Sequence, residues 1–124
     1  MLLLDTHILL WVLDNNTKLS PNLRRIITSG DILVKVSAVS AWEIVVKKAL
    51  GKLKCPNSLE EAVEASGFEW LNITVKHAMA VGDLPTFHND PFDRLLIAQA
   101  ICERLTLITT DAVIEKYPVK CLVE

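Results

Sequence analysis

Asp5, Glu43, Asp93 and Asp111 are the side chains in this 124-residue chain whose surroundings demand an explanation. Asp5 stands between the apolar runs LLL and ILLWVL, Glu43 sits in AWEIVV, Asp93 in PFDRLLIA, and Asp111 directly follows LTLITT. An ionised carboxylate is almost never fully buried unless it is paired or bound to a metal. Each acid taken singly also has a structural reading. Asp5 could cap a first helix, and Ser40-Ala41-Trp42-Glu43 has capping-box spacing. Asp90 and Asp93 could be a cap and a first-turn charge, and Asp111 could cap a short helix. Taken jointly they read differently. Four carboxylates held together repel and raise one another's pKa values, a cost that a cation removes. Mg²⁺ and Mn²⁺ take oxygen ligands, need only one or two direct carboxylates, and leave other acids to hold the metal's waters. His7, His77 and His88 are scattered, with no second His or Cys at zinc-ligand spacing.

Convergence depends on the elements that carry these residues. Leu2 to Leu4 reads as a buried strand, with a helix from about His7 to Leu13. Ser20-Pro21 opens a helix that stops at Gly30. Ile32 to Val36 is a second strand, and Ser37 or Ser40 caps a helix closed by Gly51. Ser58-Leu59-Glu60-Glu61 has the pattern of a capping box opening a helix to Gly67. Phe68 to Ile73 is a strand, Thr74 opens a helix to about Gly82, and a loop with Pro85, His88 and Asn89 follows. Asp90-Pro91 opens a long helix to about Arg104; Leu105 to Thr109 is a strand, Asp111 starts a short helix, and Val119 to Val123 is a last strand or tail. Strands alternating with helices predict an α/β/α sandwich around a parallel sheet of four or five strands with right-handed crossovers. The short, continuous apolar strands fit a sheet covered on both faces. Ligands bind such sheets outside the carboxyl ends of the strands, where all four acids fall.

The length fits one domain spanning 1–124. Mean hydropathy is +0.34 and 51% of residues are hydrophobic, which excludes a disordered chain and suggests apolar surface covered by a partner. Cys55, Cys102 and Cys121 form no CxxC pair and fit a reducing cytoplasm. The apolar N-terminus is too short and too charged for a membrane span. A net charge of -2 argues against a simple nucleic-acid-binding module. Without the four site acids, however, 13 basic residues face 11 acidic ones, a net +2.

The segments LLLDTH, SAWEI, DPFDRLLIAQA and LITTD, in that order, resemble the four acidic motifs of PIN-domain nucleases, above all the VapC-like toxins of bacterial toxin–antitoxin pairs. The resemblance runs from Leu2 to about Tyr117. It implies a parallel sheet with helices on both sides and a Mg²⁺- or Mn²⁺-dependent endoribonuclease. It also implies a homodimer, and inhibition by a cognate antitoxin protein. Asp5, Glu43, Asp93 and Asp111 correspond to the acidic tetrad that binds metal and catalyses cleavage. Thr6 and Thr109 correspond to hydroxyl positions beside it. On this reading Asp5 is the central ligand because it ends the innermost strand, Asp93 or Asp111 completes direct coordination, and Glu43 holds or deprotonates the attacking water. Asp90 supports Asp93, and Arg94 either reaches a phosphate or pairs with a local acid.

Other readings of the same scaffold are a receiver-like phosphoacceptor domain, a haloacid-dehalogenase-like phosphatase and a non-catalytic interaction module. A receiver wants paired acids after strand one and a late Lys, whereas Asp5 stands alone and Thr109-Thr110-Asp111 offers an acid. The phosphatase wants a second Asp two residues on, where His7 stands. Lys47, Lys48, Lys52 and Lys54, and the pair Arg24 and Arg25, are phosphate-contact candidates or solvated helix faces. Trp11, Trp42 and Trp70 read as core or interface aromatics. His88 is open between approaching substrate and being satisfied by its own loop.

Overall fold

The computed structural model of the protein describes residues 1–55 and 58–124. Five strands, β1 (Leu2–Leu4), β2 (Val34–Ser37), β3 (Glu69–Leu71), β4 (Thr106–Thr109) and β5 (Cys121–Val123), form one sheet in the order β3-β2-β1-β4-β5. Every adjacent pair is parallel. The described helices are α1 (Thr6–Leu13), α2 (Pro21–Thr28), α3 (Ala38–Ala49), α4 (Leu59–Ala65), α5 (Val75–Ala80) and α6 (Pro91–Glu103). Single 3-10 turns cover Val81–Asp83 and Ala112–Lys116.

Side-chain alternation along the strands builds two cores. Leu2 and Leu4 of β1, with Val34, Val36 and Ile108, pack against Ile8 and Leu9 of α1, Leu23 and Ile27 of α2, and Val63 of α4. Leu3, with Leu107 and Leu71, points to the other face and meets Leu96, Ile97 and Ala100 of α6. Leu3, Leu4, Leu107 and Ile108 are fully buried. Burial on both faces explains why the strands read as unbroken apolar runs, and the result is the expected three-layer arrangement.

The elements differ from the sequence reading mainly at their ends. β2 begins at Val34 and β3 is limited to Glu69–Leu71. β3 pairs only with Lys35 to Ser37, so the ladder leaves Phe68, Asn72 and Ile73 outside it. Between the two candidate caps of α3, Ser37 takes the role: its hydroxyl accepts from the Val39 amide at 2.9 Å. Ser40 and Glu43 therefore lie inside the helix, and the capping box between them does not form. The box expected at Ser58 does not form either, because Ser58 makes no side-chain cap bond. Thr74 and His77 make one instead, with the imidazole Nδ1 in the usual place of a Glu.

The register levels the functional edge. Leu4 pairs with both Val36 and Ile108, so Asp5 follows at the level of Ser37 and Thr109, the last residues of β2 and β4. Buried Gln99 fastens α6 to that edge, its Oε1 accepting from the Ser37 hydroxyl at 2.5 Å. β1 is thus central, and its first exit toward solvent is a carboxylate.

Candidate active site

Asp5 is both a cap and a member of the cluster. It is 5% exposed. One carboxylate oxygen accepts from the Ile8 amide at 2.9 Å and caps α1; the other accepts from the Thr110 amide at 3.2 Å, beyond the end of β4. Burial pushes its pKa up, and the Thr109 hydroxyl, the two amides and nearby His7 oppose that push. His7 itself is exposed, so it neither packs nor stands among the buried acids.

Glu43 occupies the inward face of α3 and is 3% exposed. Thr6 brings its hydroxyl to 2.5 Å from Oε1, and Ser40 Oγ lies 3.1 Å from that same hydroxyl. Thr6 has one proton to give; donating it to Glu43 leaves it to accept from Ser40. The second Glu43 oxygen is ion-paired with Lys47, one turn on along the helix. Both carboxylate oxygens of a buried acid are thereby held.

Asp93 and Asp111 meet at His88. The imidazole Nε2 lies 2.7 Å from Asp111 Oδ2 and 3.1 Å from Asp93 Oδ2. Ligand-type atoms of these three residues all fall within 4.8 Å of one another. Asp111 Oδ1 accepts from the Val113 amide at 2.9 Å, so the expected short-helix cap exists alongside the cluster contact. Asp90 caps α6 through the amides of Phe92 and Asp93. Thr109 is fully buried and links two of the acids: its Oγ1 accepts from the Asp111 amide at 3.1 Å and its hydroxyl bonds Asp5.

The electrostatics tie these contacts into one field. Burial first, then repulsion from Asp90, Glu43 and Asp5, pushes the Asp93 carboxyl up to about 7, against the opposing pull of His88. Lys47 feels Glu43, Asp90 and Asp93. The structure thus brings the four sequence-identified acids to one edge of the sheet, with Thr6, Thr109 and Asp90 among them. Arg94 behaves otherwise. Its guanidinium donates to the carbonyls of Pro85, His88, Val81 and Leu84 at 2.8 to 3.5 Å, and so pins the loop that carries His88. That loop has no ladder to satisfy its carbonyls, and a five-donor fork supplies the bonds.

Three contributors carry no plain site signal in the sequence. Lys47 belongs to a run of surface lysines, although its position four residues after Glu43 is a signal for a helical ion pair. His88 has a local reading within its own loop, and Ser40 has the spacing of a cap. Trp42 is 51% exposed and meets Phe92 edge-on at 4.7 Å, so it does not belong to the core. Trp11 and Trp70 pack against the core as expected.

The donor set fits a hard divalent cation. It consists chiefly of carboxylate oxygens, and burial together with repulsion from Asp90, Glu43 and Asp5 pushes one of them, Asp93, up to about 7. No described helix is long and apolar enough to cross a membrane.

Among solved structures, the chain resembles VapBC2 from Rickettsia felis bound to a promoter DNA fragment. Identity is 18% and TM-score 0.72, over 98% of this chain and 96% of that one. DNA-bound VapBC from Salmonella typhimurium matches at 18% identity and TM-score 0.72, covering 99% and 98%. FitAcB from Neisseria gonorrhoeae matches at 21% and 0.64, covering 98% and 96%. At these identities the likeness is one of fold. No curated sequence matches the chain significantly. A PIN-domain family model matches residues 2–120, a span that takes in β1 and all four acids at its carboxyl edge, and the chain belongs to the PIN-domain family.

Proposed function

We propose that the chain is a Mg²⁺- or Mn²⁺-dependent endoribonuclease and the toxin of a toxin–antitoxin pair. The observation that carries the nuclease reading is the gathering of acids at the sheet edge, where buried Asp5 and Glu43 stand beside Asp93 and Asp111, and where burial, then repulsion from Asp90, Glu43 and Asp5, pushes the Asp93 carboxyl up to about 7. A fold that gathers acids at such cost has a cation to receive.

Asp5, Asp93 and Asp111 would hold the metal directly or through its waters, with Asp5 central because two main-chain amides fix its oxygens. When bound, such an ion polarises a phosphoryl oxygen and lowers the pKa of water. The protein's own groups do the rest. Glu43, with its oxygens held by Thr6 and Lys47, orients the attacking water and takes up its proton. Thr109 keeps Asp5 and Asp111 in register. The water oxygen bonds to phosphorus as the P–O3′ bond breaks in line with it, and the departing 3′ oxygen takes a proton from solvent, which leaves a 5′-phosphate and a 3′-hydroxyl.

The toxin reading is supported by the solved relatives of this fold, which include VapBC complexes. Homodimer formation is supported by α5, which exposes Val75 at 79% and Met79 at 72%. The deciding experiment offers the purified chain a fluorescent single-stranded RNA with Mg²⁺ or Mn²⁺. Cleavage that stops with EDTA, leaves 5′-phosphate ends and is lost in Asp5→Asn is expected. Cleavage that survives EDTA, or proceeds at wild-type rate in Asp5→Asn, overturns the reading.

A further inference from the structure

The ring of His88 stands where a metal ligand would be sought, yet its other nitrogen assigns it a different task. Nδ1 lies 3.0 Å from the Asp90 amide nitrogen and accepts its N–H. A main-chain amide can only donate, so Nδ1 carries no hydrogen and the ring hydrogen sits on Nε2. Nε2 is the atom facing Asp111 Oδ2 at 2.7 Å and Asp93 Oδ2 at 3.1 Å. In that tautomer it has no lone pair for a metal, and it has one N–H for the two carboxylates to share.

We infer that His88 is a positioning residue: locked by the Asp90 amide as an Nε2–H donor, it clamps the facing oxygens of Asp93 and Asp111 and is itself no ligand to the ion those acids bind.

The inference rests on the reading of the site as a divalent metal centre, and it specifies how α6 is joined to the end of β4 within that centre. The surrounding bonds are all directed at holding the ring still. The His88 amide donates to the Tyr117 hydroxyl oxygen at 2.8 Å, and its carbonyl accepts from Arg94 at 3.3 Å. Tyr117 is 3% exposed, so the anchor is itself rigid. The same helix start thus fixes both partners: Asp90 caps α6, which presents Asp93, and the Asp90 amide orients the ring that grips Asp93. Carboxylates aimed by such an N–H keep further lone-pair directions for the ion, even at Asp111, whose Oδ1 also accepts from the Val113 amide, and losing that kind of support costs about 10- to 100-fold in metal affinity.

Two measurements on the full chain test this. In the metal-free protein, ¹⁵N imidazole shifts should show His88 with a bare Nδ1 and a protonated Nε2; a ring with the hydrogen on Nδ1 overturns the assignment whether or not the site binds metal. With Mn²⁺ added, electron spin-echo spectra should show no ¹⁴N coupling from a ring nitrogen, and a coupling that disappears in His88→Ala overturns it. His88→Ala should weaken Mn²⁺ binding roughly 10- to 100-fold. His88→Gln, which returns an N–H at similar reach, should recover most of that loss, and equal affinity in wild type and His88→Ala contradicts the clamp. If the wild-type protein binds no Mn²⁺ at all, the metal reading fails, and the tautomer measurement still decides what His88 is.

Discussion

Asp93→Asn should make the metal-free protein more stable at pH 8 while abolishing cleavage. The folded protein holds the Asp93 carboxyl at about 7, against 3.8 ordinarily. That gap of about 3 pKa units corresponds to about 4 kcal/mol at roughly 1.4 kcal/mol per unit. The side chain is 23% exposed, so solvent screening reduces the usable figure to about 2 kcal/mol. The sign follows from proton binding. Between pH 3.8 and about 7 the folded chain binds the proton more tightly than the unfolded chain, so stability is lost as pH rises through that window and the loss is complete above it. Asn keeps the shape, still accepts from His88 Nε2, and carries no charge to repel Asp90, Glu43 and Asp5. Urea unfolding in EDTA should show a midpoint gain of about 1 M for the variant at pH 8, at an m-value of about 2 kcal/mol per M. By pH 5 the difference should shrink by more than half, because the wild-type acid is then protonated in the fold. Mg²⁺ should stabilise the wild type at pH 8 and the variant much less. A variant that is less stable than wild type at pH 8, or a difference that ignores pH, would refute the reasoning that a buried and repelled charge at Asp93 is the cost and a cation its relief.

Three further substitutions probe the supports around the acids. Lys47→Met leaves one oxygen of Glu43 without its cation and should lower kcat by about 10- to 100-fold with little change in KM, measured by steady-state RNA cleavage. Thr109→Val keeps the volume of a fully buried side chain but removes the hydroxyl joining Asp5 to Asp111; it should cost about 1–3 kcal/mol in urea unfolding and weaken Mn²⁺ binding in titration calorimetry, whereas Thr109→Ser should preserve both. Arg94→Lys should fail to replace Arg94, since one ammonium cannot serve four carbonyls, and hydrogen exchange in residues 84–89 should rise as it does in Arg94→Ala.

The parts of this protein readable from sequence are those in which local pattern and tertiary role agree. Apolar runs of strand length separated by helical segments require a covered parallel sheet, and the sheet's carboxyl edge follows from that geometry, so Asp5, Glu43, Asp93 and Asp111 could be placed before any contact was known. What could not be read depends on paths through space. Nothing in LPTFHND says that three of its carbonyls will converge with that of Val81 on Arg94, yet that convergence is what delivers His88 to the acids. Ser37 and Ser40 are equivalent caps in one dimension; pairing of Ser37 with Gln99 of α6 and exit of the chain from β2 decide between them. Lys47 is one of several surface lysines in one dimension, because the burial of Glu43, which makes the pairing matter, is a tertiary fact.

Asp5 shows that capping a helix does not use up a carboxylate. A cap uses one lone-pair direction of a carboxylate, and an Asp has about four. The Ile8 amide takes one oxygen and the Thr110 amide the other, from opposite sides of the central strand, and these two bonds orient the group without exhausting it. A cap is also the only helix position at which a carboxylate is favoured by the dipole while its backbone is still in the strand conformation of the preceding residues. A strand-end Asp that caps the next helix is therefore held in place by the fold itself, while at Asp93 repulsion from Asp90, Glu43 and Asp5 adds to burial in pushing the carboxyl up to about 7. Burial raises both carboxyls above their ordinary value, Asp5 against the pull of the Thr109 hydroxyl and two amides and Asp93 with repulsion from Asp90, Glu43 and Asp5 added, so the wild-type apo protein should lose stability through both groups as pH rises past the ordinary carboxylate range.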